Sequence, residues 1–178
     1  MQNQQHQEQK KIGATMITIM WIGIFLLLGV LFSGILDQQN NPNQSINTLT
    51  LSGDIKELAL KRNRQGHYVA SGSINSQPVV FMLDTGATDV SIPADIARQL
   101  NLTHGPEAVY QTANGPVKVS LTRLEQVSLG EISLNNIRAT INPGYKSKQI
   151  LLGMSFLKHL EFSQRGNTLT LRQYPEEH

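Results

Sequence analysis

The sequence predicts a mostly β domain carried behind one apolar helix, and three observations predict it. Residues Ile12 to Leu36 contain no charged side chain. From about Thr48 onward, apolar and polar residues alternate with period two between Gly, Asn and Pro punctuation. A single clear stretch, PADIARQL, replaces that alternation with helical spacing.

Taken in order, residues 1–11 open with the polar, Gln-rich MQNQQHQEQ, which suits a short disordered tail. Residues 12–36 include IMWIGIFLLLGVLF; about 25 residues of helix reach roughly 37 Å, enough to cross a bilayer. The run exceeds the about 7–15 apolar residues of a signal peptide, and Ser33-Gly34 is flanked poorly for cleavage. An uncleaved anchor is therefore expected. Lys10 and Lys11 precede the span and Asp37 follows it, so the positive-inside tendency puts the N-terminus in the cytoplasm and the rest outside it. Residues 37–47, DQQNNPNQSIN, read as a flexible linker.

Residues 48–178 form the β domain. Its strands are expected in LTLSG, ELALKRNRQGHYVASGSI, PVVFML, VYQTANGPVKVSL, QVSLGEISLNNIRATI and NTLTLRQY. Asn114-Gly115, between two alternating runs, is a strong hairpin signal. In PADIARQL, Pro93 stands in the first turn and Asn101 marks the stop. A second short helix is expected from about Ser155.

Composition excludes several functions. A net charge of +2 with scattered Lys and Arg gives no nucleic-acid footprint. The absence of cysteine removes disulfides, thiolate catalysis and Cys-based zinc sites. His6, His67, His104, His159 and His178 lack metal-ligand spacing, and no phosphate loop occurs, so no metal or cofactor is expected. Gly153-Met154-Ser155-Phe156-Leu157 lacks the final Gly of a nucleophile elbow.

The chemistry concentrates in VVFMLDTGATDVSIP, Val79 to Pro93, where Asp84 ends an apolar run. A lone buried carboxylate costs several kcal/mol unless it is paired or protonated, so its placement asks for a function. Asp84-Thr85-Gly86 after such a strand resembles the active-site motif of retropepsin-type aspartic proteases. Ile150-Leu151-Leu152-Gly153 resembles the apolar-apolar-Gly element that packs behind that turn, and the Asn114-Gly115 hairpin stands where the family keeps its flap. The likeness covers about Tyr68 to Arg172, and LLGMSFL is similar to membrane-anchored bacterial relatives.

That resemblance implies a retropepsin-like closed β-barrel, a single pepsin-like lobe with one or two short helices. It implies an aspartic endopeptidase in which Asp84 pairs with Asp84 of a second chain, because one D-[ST]-G per chain cannot make the dyad alone. Thr85 is expected as a buried hydroxyl bonding across the dimer axis, Gly86 and Ala87 as small residues leaving room, and Thr88 as a hydrogen-bonding member of the turn. Leu151, Leu152 and Gly153 would support it, while Asn114 and Gly115 would close over an extended peptide. The implied partners are thus a second copy, a peptide or protein substrate, and membrane lipid around the helix. Retroviral relatives resemble D-T-G-A-D and G-R where this chain has Thr88 and Met154, so its interface is expected to be held differently. Asp89 is expected as a solvated turn residue. The rival reading is a catalytically inactive peptide-binding or dimerisation module of the same fold.

Overall fold

The computed structural model describes residues 2–112 and 115–175. The chain divides into two compact units, residues 1–39 and 40–178.

Helix α1 spans Gln2–Asn40. Its stretch from Met16 to Asn40 is long and apolar enough to cross a membrane. Trp21, Phe25, Leu26, Leu31 and Phe32 are all exposed, and a helix apolar on every side is stable only where water is excluded.

The second unit is built from two sheets. The smaller has the order β1-β2-β11-β10, all antiparallel, from β1 (Thr48–Thr50), β2 (Lys56–Lys61), β10 (Glu161–Arg165) and β11 (Thr168–Gln173). The larger adds β3 (Val69–Ile74), β4 (Gln77–Leu83), β5 (Val90–Pro93), β6 (Glu107–Thr112), β7 (Gly115–Leu129), β8 (Ile132–Asn142) and β9 (Ile150–Leu152) in the order β3-β4-β9-β5-β8-β7-β6. Strand β3 also pairs with β7 through Ser73 and Ile74, which turns the sheet back on itself into a barrel-like layer. Tight turns drive this path. Ile74 pairs with Gln77, and the intervening Asn75 and Ser76 both take positive φ, as the twist of a two-residue hairpin requires.

The centre is apolar because β4, β9 and β5 are interior strands. Phe81, Val90, Ile92, Ile150 and Leu152 are fully buried, together with Leu124, Ile141 and Phe156. Helix α2 (Ala94–Gln99) begins after Pro93 and stops before Asn101, which takes φ of 53°, as its end signals predict. The expected second helix is α3 (Met154–Leu157).

The segment expected as a flexible linker behaves otherwise. Helix α1 runs through Asp37 to Asn40, and Asn41 and Asn43 are buried. Asn43 Nδ2 donates to the carbonyls of Lys61 (2.9 Å) and Val69 (2.7 Å), and its Oδ1 accepts from Lys61 N–H at 2.7 Å. Asn41 Nδ2 reaches Ser71 Oγ at 3.0 Å. The Asn43 amide occupies backbone groups of β2 and β3, which is why a polar tract docks here.

Candidate active site

Strand β4 ends at Leu83 because the next residue enters a turn of its own making. Asp84 Oδ1 accepts the Gly86 N–H at 2.9 Å, and the Asp84 carbonyl accepts the Ala87 N–H at 3.2 Å. The first bond is the local turn that Asp favours; the second closes it. Asp84 itself is half-buried, with Thr85, Gly86 and Thr88 exposed and Ala87 half-buried. Gly86 is not in the positive-φ region. Its smallness serves space instead, since a Cβ would stand 3.2 Å from Asp84 Oδ1.

The turn is braced from behind by residues far along the chain. Strand β9 lies parallel to β4, with Met82 opposite Leu151 and Leu83 opposite Leu152. Asp84 N–H then donates to the Leu152 carbonyl at 3.2 Å, Met154 N–H to Ala87 (2.8 Å) and Ser155 N–H to Thr88 (2.9 Å). Gly153 makes this lacing possible, because a Cβ there would lie 2.3 Å from the Asp89 carbonyl oxygen and 2.6 Å from that of Ala87. The structure therefore brings Asp84, Ala87, Thr88, Leu152 and Gly153 together. Thr88 takes part through its carbonyl, and its side chain points into solvent. Thr85 is exposed in the single protomer rather than buried. Ser155 is also structural: its Oγ accepts from Val90 N–H at 3.0 Å and donates to the Arg138 carbonyl at 2.8 Å.

The expected hairpin is present as β6 and β7, paired from Glu107 with Ser120 to Thr112 with Gly115. Gly115 carries φ of 102°, which only glycine adopts without strain. Asn114 lies outside the described residues.

Asp89 corrects the sequence reading. It is 2% exposed, not a solvated turn residue. Arg138 Nε donates to its Oδ1 at 2.7 Å and the Tyr110 hydroxyl to its Oδ2 at 2.5 Å. Burial of the charge is offset because both oxygens are engaged and one donor is cationic. The hydrogen bond to Asp89, aided by burial and by the carboxylate's charge, raises the Tyr110 phenol above its ordinary value, and the same carboxylate raises Arg138. Both therefore keep their protons at neutral pH. The partners lie on β6 and β8, so no spacing rule could have revealed them; the one local clue was an Asp directly before the apolar Val90-Ser91-Ile92.

The family model described as "gag-polyprotein putative aspartyl protease" matches residues 70–159. An uncharacterized protein from a cobV 5′ region of Sinorhizobium sp is 31% identical over 128 residues, 70% of this chain and 55% of that one. Another, from Rickettsia prowazekii (strain Madrid E), is 28% identical over 126 residues, 69% of this chain and 54% of that one. The chain thus spans about half the length of these curated relatives. Among solved structures, a retropepsin-like aspartic protease from Rickettsia conorii superposes with a TM-score of 0.55 at 26% identity, covering 72% of this chain and 95% of that one.

Proposed function

The chain belongs to the retropepsin-like aspartic protease family, and from that premise we propose that it is a membrane-anchored aspartic endopeptidase acting as a homodimer. The observation that carries this reading is the Asp84 carboxylate, half-buried on a turn whose backbone is fixed on two sides. The Gly86 N–H sets the plane of the carboxylate by holding Oδ1. A group held this way can meet its twin from a second copy without reorganising.

Two such carboxylates share one proton, because like charges so close cannot both ionise. The ionised Asp84 takes a proton from water as that water attacks the scissile carbonyl carbon. The protonated Asp84 of the other copy gives its proton to the carbonyl oxygen. Collapse of the tetrahedral intermediate returns a proton to the leaving nitrogen and restores the shared state. Thr85, exposed in one protomer, would be covered at the two-fold axis, and the β6–β7 hairpin would close over an extended peptide by strand pairing. The α1 span would anchor the domain, with Lys10 and Lys11 keeping the N-terminus cytoplasmic and the domain on the periplasmic side.

The test is Asp84→Asn in the detergent-solubilised full chain. Peptide hydrolysis should fall by on the order of 10³-fold or more, with the melting temperature preserved. Undiminished hydrolysis would overturn the assignment. A wild-type chain that cleaves nothing yet binds a statine-type inhibitor would instead be the peptide-binding module.

A further inference from the structure

The β6–β7 hairpin outruns its support. Strand β8 accompanies β7 only as far as Ser120 opposite Ile141, so from Val119 to Gly115 the ladder partner of β7 is β6 alone. A two-stranded ribbon is marginal by itself in water. Period-two alternation divides it into an outer face, where Val109 is 65% exposed, and an inner face carrying Ala108, Tyr110, Val117 and Val119.

Tyr110 lies near the tip, paired with Val117 two positions before the terminal pair Thr112 and Gly115. Its hydroxyl leaves the ribbon and donates to Asp89, whose other oxygen is held by Arg138 from β8. Asp89 is itself fixed to the scaffold of the 84–88 turn, because the carbonyl before it and the N–H after it both bond Ser155. The ribbon's height is therefore referenced to the same frame that positions Asp84.

We propose that Tyr110 is a positioning residue, its phenol latching the overhanging ribbon to the buried Asp89 carboxylate and so holding the ribbon at a set distance over the 84–88 turn. Arg138 steadies the latch from β8, donating its Nε to the other Asp89 oxygen at 2.7 Å and so fixing the acceptor that the phenol reaches. The latch itself does not depend on catalysis; its consequence for peptide capture rests on the endopeptidase reading.

Tyr110→Phe in the full chain keeps the ring and removes the donor. Amide hydrogen exchange at residues 107–112, 115 and 117–119 should quicken about tenfold, the scale of one lost hydrogen bond, while β4 and β9 exchange at the wild-type rate. In peptide hydrolysis the variant should raise KM by about tenfold with kcat changed by less than about twofold, the signature of lost substrate capture. Unchanged exchange in the ribbon would overturn the proposal. So would acceleration spread equally through β4 and β9, which marks general destabilisation. Should the wild-type chain hydrolyse no peptide, the endopeptidase reading fails, and the exchange measurement alone decides the latch.

Discussion

Gly153 shows how a single residue type can be fixed by its surroundings. Its missing Cβ is where the carbonyl oxygens of Ala87 and Asp89 come to rest, and those are backbone atoms with no rotamer to change. Gly153→Ala should therefore cost at least about 2–3 kcal/mol in urea unfolding, and it should depress peptidase activity even where the fold survives, because the Asp84 turn must shift. An unchanged unfolding midpoint would show that the lacing yields more easily than its geometry implies. This glycine was legible through its motif, whereas Asp89 was not. Surface exposure is the usual state of Asp, and the partners that bury Asp89 stand 21 and 49 residues away in the chain. A motif reports local chemistry; it is silent on which distant side chain completes a charge.

Elements with strong local punctuation were readable. Pro93 and Asn101 bracket α2, and the alternation around Gly115 gives the β6–β7 hairpin. Strands β5 and β9 are four and three residues long and carry little period-two signal, and β10 is exposed along its whole length, so none stands out by pattern. Strand β7 runs unbroken for 15 residues where two runs were expected, because β8 pairs with it from Ser120 through to Leu129. The polar tract after α1 misled most. Composition makes it resemble a solvated coil, but Asn43 bridges β2 and β3 by three hydrogen bonds and stands beside Ala70 as an isolated parallel bridge. Asn43→Ala would strand the Lys61 N–H and the Val69 carbonyl. It should destabilise the domain by about 2–4 kcal/mol, and limited proteolysis should then cut within residues 41–47 faster; equal protection in the variant would mean the tract is held by other contacts.

The whole molecule carries one D-T-G, so the proposed dyad would take one carboxylate from each of two copies. Mixing wild-type chain with an equal amount of Asp84→Asn, then allowing exchange, should leave roughly a quarter of the activity of the same total of wild-type chain, since most dimers then hold a defective member. A remainder of about one half would mean each copy works alone. The barrel-like layer and its family were recoverable from sequence because three motifs recur in a fixed order along one domain. The Asp89 junction between ribbon, turn and β8 was not, since it exists only after folding has brought those segments together.

The parallel alliance of β4 with β9 has a temporal consequence. Residues 81–83 emerge from the ribosome long before residues 150–152, yet they have no lasting neighbour on that side until the later segment arrives. Such a sequence-distant contact forms late and slowly. A nascent polypeptide halted before Ile150 therefore displays its aspartate on an unbraced loop, and the frame around that aspartate is completed only when synthesis has passed Ser155.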